Sequence, residues 1–559
     1  MIVMRPKWLL VRYVFLGFIF LMLTLFTSLI TGCGSGGKFR IPEPIPSDRQ
    51  PVPEPKSRKI NIVANGFDKQ FAEQVEQSLD LSRQVRNLTG KRQGAINVNA
   101  FGEVVNSSWF TNRNGLKRMS IAEVRRGSDS GEGPDTSGTW TVIRAKAEGR
   151  TPGFTIQDSR GDRYIIKFDP KGYSELVTGA EVVSTKLFHA AGYHVPENYI
   201  AYFHPSILKL GEKGRKRFME QKDLDEILER IEHLPDGRIR VVASQFISGI
   251  PKGPFKYKGT RKDDLNDIIP HQHRRELRGL RVIAAWLNHF DTKANNSLTA
   301  YTPEGYMKHY LIDFGSTLGG KANGPKPPDI GHENMVDPHQ ILLNIVTLGF
   351  YVRPWEKVKP IHYPSIGYFR SDIFHPQKYK FIIPNPAFEN MTNLDGYWGA
   401  KIVMSFTDEQ IKAAVQEGGY SDPEAADYLL KTLIERRDIV GRYWFSRMNP
   451  LDRFELREMR NGKAALCFVD LAVETGLESA AESRYRYDLR RNGELVEKSK
   501  PVEGTCVALP PSASDEILWE FRIQTQRASN GKWSQWILVY LRSDHVSGKL
   551  TLLGLKRQE

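Results

Sequence analysis

The pattern of apolar and polar positions changes character along the 559 residues of the chain. Residues 13–32 form one apolar run without charge. Between residues 60 and 247 the pattern predicts short strands and turns, with one strong helix over 175–191 whose apolar stripe has helical spacing. Gly192 predicts where this helix ends. Helical patterns then dominate residues 248–450, and short strands of alternating polarity follow.

The helical part carries two local signals for the start of a helix. Thr407 with Gln410 forms the pattern of a capping box, and Asp422 before Pro423 is typical of a helix N-terminus. Because strands dominate the part before it and helices dominate this one, we expect an α+β protein.

Residues 452–559 predict a small β-sandwich. Apolar positions alternate with polar ones, as in a strand with one buried face, at Trp519, Phe521, Ile523 and Thr525. Three Asn-Gly pairs are typical of type I′ hairpin turns, which need positive φ at two successive residues, at 461–462, 492–493 and 530–531. Trp519, Trp533 and Trp536 could bind a glycan or a protein partner, but we expect most of these tryptophans to lie in the core of the sandwich.

Two of the three cysteines, Cys467 and Cys506, lie in this last part. Disulfides form in exported proteins, because the compartments outside the cytoplasm are oxidising. A disulfide between the two residues and a pair of buried free thiols both fit, since the sequence gives no distance between them.

Composition and charge exclude several classes of protein. Apolar residues make up 40% and charged residues 26% of the chain, which excludes collagen-like, wholly disordered and polytopic membrane proteins. The formal net charge is +14. The basic residues are nevertheless spread out, without a dense basic block that aromatic residues interrupt, so no nucleic-acid partner is predicted.

The start of the chain predicts its compartment. The apolar run follows three basic residues, Arg5, Lys7 and Arg12. It ends in Leu29-Ile30-Thr31-Gly32-Cys33, which resembles the lipobox of bacterial lipoproteins. The resemblance implies cleavage before Cys33, lipid attachment to Cys33, and a location in the cell envelope. A retained membrane anchor is the alternative, since twenty apolar residues are enough to span a bilayer.

The lipobox resemblance also implies where the protein is sorted and how it is held. A non-acidic residue after the cysteine, here Gly34, implies the outer rather than the inner membrane. Residues 34–59 contain six prolines and predict a semi-extended tether. The predicted organisation is a signal peptide over 1–33, this tether, folded parts over 60–247 and 248–450, and the sandwich over 452–559.

The candidate chemistry lies in three separated segments, of which two precede residue 182. Gly149 and Gly153 flank a turn between predicted strands, where backbone amides can approach a polyphosphate. Lys167 lies in the apolar strand that follows, and a buried amine needs a partner or a phosphate. Glu181, on the predicted helix, could supply the carboxylate that holds this amine.

The third segment is the sharpest. Asp291, Lys293 and Asn296 follow a helical stripe in the spacing D-x-K-x-x-N, and a strand then ends in Asp313-Phe314-Gly315, 17 residues after Asn296. One carboxylate and one amide oxygen, together with phosphates, suit Mg²⁺. Asp291 would then orient an attacking hydroxyl and accept its proton.

Residues 140–320 resemble the protein-kinase-like superfamily in an atypical form, similar to HipA-type kinases and phosphatidylinositol 3- and 4-kinase-like proteins. The resemblance implies a bilobal fold with a strand-rich small lobe and a helical large lobe. It implies ATP with Mg²⁺ or Mn²⁺ as cofactors. By this resemblance, Lys167 would bind phosphate and Glu181 would be its partner. Asp291 and Lys293 would be catalytic, and Asn296 and Asp313 would bind the metal ion. The interlobe hinge would consist of Gln245, Phe246 and Ile247.

Several features depart from the resemblance. Phe290 stands where many kinases have the arginine that reads a phosphorylated loop, no A-P-E motif follows Asp313, and residues 60–135 match no kinase element. ATP is also scarce outside the inner membrane. Two functions therefore remain open, namely an exported kinase with an unknown hydroxyl acceptor, and a non-catalytic envelope lipoprotein that uses the same fold for binding or scaffolding.

Overall fold

The computed structural model describes residues 39–60, 92–145, 153–211, 219–335, 337–357, 360–458, 464–509, 517–543 and 550–559. The lipobox with Cys33, the glycine Gly149 and the Asn461-Gly462 pair lie outside the described residues. The chain forms an α+β structure with several separate sheets.

Ten α-helices lie in the described ranges. They are α1 (Ile121–Arg126), α2 (Leu176–Ala191), α3 (Gln221–Glu229), α4 (Arg275–Trp286), α5 (Pro338–Val346), α6 (Pro386–Glu389), α7 (Asn393–Met404), α8 (Asp408–Glu417), α9 (Pro423–Phe445) and α10 (Leu471–Glu474). Both predicted start signals are present. The Thr407 hydroxyl accepts from the Gln410 N–H in a full capping box, and Asp422 caps α9 with Pro423 at its first position.

Nineteen strands are described. The first nine are β1 (Trp140–Ala145), β2 (Gly153–Gln157), β3 (Arg163–Lys167), β4 (Asn198–Phe203), β5 (Leu208–Leu210), β6 (Ile239–Gln245), β7 (Ile250–Gly253), β8 (Ser297–Tyr301) and β9 (Met307–Leu311). The others are β10 (Gly320–Lys321), β11 (Gly324–Pro325), β12 (Leu451–Glu458), β13 (Ala464–Asp470), β14 (Ser483–Arg491), β15 (Glu494–Val502), β16 (Cys506–Ala508), β17 (Ile517–Arg527), β18 (Ile537–Ser543) and β19 (Leu550–Arg557).

The first sheet has six strands in the order β4-β6-β3-β2-β1-β5. One face packs with α3 into its own apolar core, which includes Trp140, Phe154 and Ile166. Helix α2 follows β3 and ends at Gly192, whose φ of 118° suits a glycine. The end of β3, which belongs to this sheet, and the start of α2 therefore lie close together in the chain.

The second sheet has three strands in the order β7-β8-β9. Residues 246–249 join β6 of the first sheet to β7 of the second. A large apolar core joins α2 to the helices that follow, with Leu187, Ile283 and Trp444 fully buried in it. The segment 246–249 thus connects the sheet that carries Lys167 to the one that carries the Asp291 loop.

The C-terminal strands form two sheets, β12-β13-β16 and β15-β14-β17-β18-β19, around a shared core. The predicted inward positions are buried, namely Trp519, Phe521, Ile523 and Thr525. Cys467 and Cys506 are register partners on β13 and β16 and form a disulfide. Trp533 and Trp536 are half-buried beside the Arg486 guanidinium.

Two of the three predicted hairpin turns lie in the described residues, and they differ. Asn492 and Gly493 form a two-residue turn with φ of 48° and 93°, as predicted. The prediction at Asn530-Gly531 is wrong in type, because the Gly531 N–H donates to the Arg527 carbonyl and closes a wider turn. An Asn-Gly pair favours positive φ locally, but strand spacing decides the length of the turn.

Residues 39–60 contain no helix or strand, yet they do not form a free tether as the prolines predicted. The Asp48 carboxylate accepts from the Ser108 N–H and hydroxyl at 2.9 and 2.7 Å. The Val52 N–H donates to the Gly305 carbonyl at 2.8 Å, and the Arg58 N–H donates to the Lys252 carbonyl at 2.9 Å. This segment therefore runs along the folded body. No helix of the described ranges is long and apolar enough to cross a bilayer.

Candidate active site

Lys167 is the last residue of β3, and its amine is almost completely buried. Its Nζ donates to both carboxylate oxygens of Glu181, at 2.9 and 3.0 Å. Gly153, the first residue of β2, is the register partner of Lys167 on the neighbouring strand. Gly153, the glycine of the predicted turn that the structure describes, therefore lies directly beside Lys167.

Asp169 positions Glu181, although no motif in the sequence marks it as a site residue. Its carboxylate accepts from the backbone N–H groups of Glu175, Val177 and Thr178 at 2.7 to 2.9 Å. These are orphan donors of the first turn of α2, where a carboxylate is favoured. Because Asp169 is two residues after Lys167, it fixes the helix that carries Glu181 against the strand that carries Lys167.

Asp313 completes the group from a third element. Its Oδ1 lies 2.9 Å from the Lys167 Nζ, and its backbone has a φ of 66°. Positive φ in a residue other than glycine is uncommon and concentrates at functional sites. A Cβ at Gly315 would lie 2.7 Å from a Val177 methyl and 3.1 Å from Glu181 Oε2, so the close approach of this turn to α2 requires glycine.

The electrostatics of this group keep the amine charged. Burial by itself lowers the pKa of Lys167, but the charges of Asp313 and Glu181 and the hydrogen bonds that the amine donates to both overcome this effect, so the pKa lies above its ordinary value. An ammonium ion held by two carboxylates from separate elements is rigidly placed. It can therefore offer charge to a phosphate at a fixed position.

Asp291, Lys293 and Asn296 lie together on the loop after α4. The Asp291 Oδ2 accepts from the Lys293 Nζ at 2.8 Å and from the Asn296 amide at 3.2 Å. The same amide donates to the Asp291 carbonyl at 2.8 Å. Within the described residues, the buried Asp291 Oδ1 has no hydrogen-bond partner. Asp291 is thus held through Oδ2, and its enclosed Oδ1 has no donor within the described residues.

The β8-β9 hairpin brings Asn296 and Asp313 to the same end of the second sheet. Ser297 and Leu311 are register partners, and the Ile312 N–H donates to the Asn296 carbonyl at 3.1 Å. Asn296, just before β8, and Asp313, just after β9, therefore lie at the same end of this hairpin. Asn296 donates through its amide nitrogen, which leaves its oxygen as a possible metal ligand.

The donor set at this edge suits a hard cation that also binds phosphates. One carboxylate and one amide oxygen are too few to enclose an ion, but Mg²⁺ keeps waters and takes phosphate oxygens as further ligands. In the described part of the chain, no three His, Cys, Asp or Glu side chains are grouped to hold a metal. A metal ion held by Asn296 and Asp313 would therefore need further ligands from water or from a bound molecule.

Apolar contacts support the turn that carries Asp313. The fully buried ring of Phe314 stacks on Phe188 of α2, with 4.9 Å between the ring centroids. The neighbouring His289 is buried, and burial, with nearby Lys326 and Lys293 charges, lowers its pKa to about 3. His289 is therefore neutral at pH 7 and packs as an uncharged ring.

A second buried lysine, Lys326, holds the same loops together. Its Nζ donates to the backbone carbonyls of Asn288 and Leu318, and it lies 4.8 Å from the centre of the Phe290 ring. Burial lowers the pKa of this amine well below its ordinary value. Sequence patterns do not indicate Lys326 as a buried residue, because its Gly-Pro-Lys-Pro-Pro surroundings are typical of an exposed loop.

The predicted hinge lies at the end of β6. Gln245 pairs with Tyr164 of β3, and its N–H donates to the Glu197 carbonyl at 2.9 Å. Three residues, or about 10 Å of strand, separate Gln245 from Val242, the register partner of Lys167. Gln245, Phe246 and Ile247 are half-exposed.

The structure thus brings Lys167, Glu181 and Asp313 into direct contact and gathers Asp291, Lys293 and Asn296 on one loop, with Gly153 beside Lys167. Comparison with known proteins finds no matching family model and no matching curated protein.

Proposed function

We propose that the chain is a kinase-like phosphotransferase that uses ATP with Mg²⁺ or Mn²⁺ and transfers a phosphoryl group to a hydroxyl acceptor. In this proposal the first sheet with α2 is the small lobe of a bilobal fold. The second sheet with α4 to α9 is the large lobe, and residues 246–249 are the hinge between them. The short connection of the two sheets supports this arrangement.

The observation that carries the proposal is the meeting of three elements at one amine. Lys167 from β3, Glu181 from α2 and Asp313 from the turn after β9 lie within hydrogen-bond distance. An ion group of this kind is costly to build, because the charges of Lys167 and Glu181 both lose water, while Asp313 stays half-exposed. Its cost is understandable if the lysine is placed to bind phosphate oxygens, as in kinases.

Each side chain then has a role in an in-line transfer. The Asp291 carboxylate accepts the proton of the acceptor hydroxyl while a bond forms between the hydroxyl oxygen and the terminal phosphorus, and the bond from this phosphorus to the bridging oxygen of the nucleotide breaks. Lys293 offsets negative charge beside Asp291. Asn296 and Asp313 would hold the metal ion, which neutralises charge on the phosphate oxygens when bound.

The compartment is proposed from the sequence alone. The lipobox resemblance supports a protein attached through Cys33 to the envelope of a bacterium, with the outer membrane favoured by Gly34. The folded parts would then lie outside the cytoplasm, because the basic flank of the apolar run stays inside.

A binding or scaffolding role without turnover is the second candidate. The observation that favours it is the engagement of Asp313 with Lys167 at 2.9 Å, since a carboxylate in an ion pair must share its oxygens to bind a metal. The scarcity of ATP in the envelope favours the same role.

Calorimetric titration of the full chain with ATP, with and without Mg²⁺, tests the proposal. We expect metal-dependent binding that Asp313→Asn abolishes. Asp291→Asn should keep this binding and lower phosphate release or autophosphorylation about 10²- to 10⁴-fold, as for the loss of a general base.

Asp236→Asn is the matched control, because Asp236 is an exposed aspartate that pairs with Arg238. It should keep both binding and transfer. Binding without transfer in the parent chain would favour the scaffolding role, and the absence of nucleotide binding with either metal would contradict the kinase proposal.

A further inference from the structure

Helix α5 and the turn after it present a row of large apolar side chains to solvent. We name this surface the apolar ridge, and it consists of Ile341, Leu342, Ile345, Val346, Leu348 and Phe350. Their exposed fractions range from 49% for Ile341 to 86% for Phe350. Soluble proteins rarely expose a continuous apolar patch of this size unless it binds something.

Polar contacts hold the base of the ridge in place. Asp337 caps α5 by accepting from the Gln340 N–H, and its carboxylate also pairs with Lys380. After the turn, Arg353 donates to the Gln340 side chain at 3.1 Å and pairs with Glu333 at 3.2 Å. The ridge is therefore a built element with a fixed base, and its apolar side faces outward.

The charge around the ridge suits an anionic surface. Residues 338–352 contain no Asp, Glu, Lys or Arg. Arg353 pairs with Glu333 and Glu356, and Lys357 and Lys359 follow in the sequence. The formal net charge of the chain is +14, of which +3 lies in the predicted signal peptide. Apolar side chains bordered by cations and aromatic residues are typical of elements that lie in the interface of an anionic bilayer.

The N-terminal segment limits how far the body can be from a membrane. Phe39 stacks on Tyr540 with 4.1 Å between ring centroids, and residues 48–60 are hydrogen-bonded along the body. Only six residue steps separate Cys33 from Phe39, which span about 20 Å when fully extended. An anchor at or before Cys33 would thus keep the body close to the bilayer surface.

We propose that the apolar ridge inserts into the interfacial layer of the phospholipid bilayer to which the chain is anchored. The proposal rests on the anchored state given under the proposed function and does not depend on phosphoryl transfer. The segment just before α5 is linked by hydrogen bonds to the loop of the candidate site. The Met335 N–H donates to the Ile382 carbonyl at 2.9 Å, and the Ile382 N–H donates to the Phe290 carbonyl at 3.1 Å, next to Asp291.

Photo-crosslinking in the full chain tests this inference. The photoreactive residue p-benzoylphenylalanine replaces Phe350 in one variant, and it replaces Val496 in a matched control. Val496 is also an exposed apolar residue, on β15 of the sandwich, with 53% exposure. Both proteins are reconstituted in vesicles of phosphatidylethanolamine and phosphatidylglycerol, floated, irradiated and analysed by mass spectrometry.

We expect phospholipid adducts at position 350 with at least fivefold higher yield than at position 496. In the position-350 protein, the added substitutions Ile345→Glu and Leu348→Glu should remove most of this yield, since charged groups leave the interface; both replaced residues are exposed.

Crosslinks between two copies of the chain at position 350 would overturn the proposal, because the ridge would then be a dimer interface. Equal lipid yields at the two positions would overturn it as well. Failure of the parent chain to float with vesicles would contradict the anchor on which the inference depends. Nucleotide is absent throughout, so none of these outcomes reports on the kinase proposal.

Discussion

Two buried lysines contact the elements of the candidate site, and they are held in opposite ways. Lys167 lies between two carboxylates, from Glu181 and Asp313. Lys326 donates to two backbone carbonyls and lies over the face of Phe290, and within the described residues no carboxylate pairs with it. The pKa of Lys167 is raised and that of Lys326 is lowered, although both amines are buried.

The difference shows which lysine is placed for its charge. A buried ammonium with charged partners keeps its proton and can attract a phosphate. A buried amine with carbonyl partners can hold two loops together by hydrogen bonds, but its charge is poorly compensated. We infer that Lys167 serves the ligand and that Lys326 joins the loop of Asn288 to that of Leu318.

The largest expected effect is that of Lys167→Met. It leaves the fully buried Glu181 carboxylate without its cation, which costs about 3–5 kcal/mol. We expect the Tm of the full chain to fall by about 10 °C, together with loss of ATP binding in calorimetry. Adding Glu181→Gln should recover part of the Tm but none of the binding, and a double variant no more stable than Lys167→Met would contradict this account of the pair.

Lys326→Met should have a smaller effect. It leaves two buried carbonyls without donors, at about 1–3 kcal/mol each, but it also removes an amine that is costly to bury. We expect the Tm to fall by about 5 °C while the affinity for ATP changes less than threefold. A loss of ATP binding as complete as in Lys167→Met would show that Lys326 also serves the ligand.

The structural features around Lys167 that depend on neighbouring residues in the chain could be predicted from the sequence. The strand of Lys167, the helix of Glu181 and its stop at Gly192 are local patterns, and the structure has β3 and α2 where they were expected. The disulfide remained open, because the pairing of Cys467 with Cys506 depends on how β13 and β16 align.

The features that could not be predicted from the sequence depend on contacts with residues that are far away in the chain. Lys326 is buried by residues that are 36 and 38 positions away, at Phe290 and Asn288, and nothing near it in the chain indicates this. Residues 39–60 resemble a tether in composition, but Ser108, Lys252 and Gly305 hold them on the body. Composition predicts an extended backbone and does not show whether other residues cover it.

The pH dependence of stability should have opposite signs for the two lysines. Because the pKa of Lys326 is lowered on folding, the unfolded state binds more protons, and the contribution of Lys326 to stability rises with pH up to about its ordinary value of 10.5. The difference in Tm between the parent and Lys326→Met should therefore widen from pH 8 to pH 10. The slope has an upper bound of about 1.4 kcal/mol per pH unit.

For Lys167, the raised pKa has the opposite effect on the pH dependence of stability. The folded state retains the proton, so the stabilisation is fully present below pH 10.5 and is lost only as the pH rises above that value. The difference between the parent and Lys167→Met should be flat from pH 8 to pH 10. Parallel pH profiles for the two variants would contradict the assignment of opposite environments.

The smallest expected effect is that of Phe290→Leu, which removes the ring face below the Lys326 amine. The contact of an amine N–H with a ring face contributes about 0.5–1 kcal/mol, so we expect the Tm to fall by about 2 °C in the parent chain. In the Lys326→Met background the same change should have almost no effect, because the amine is already absent. Equal losses in both backgrounds would show that Phe290 acts through packing alone, whereas a loss confined to the parent would show that its ring holds the Lys326 amine in place.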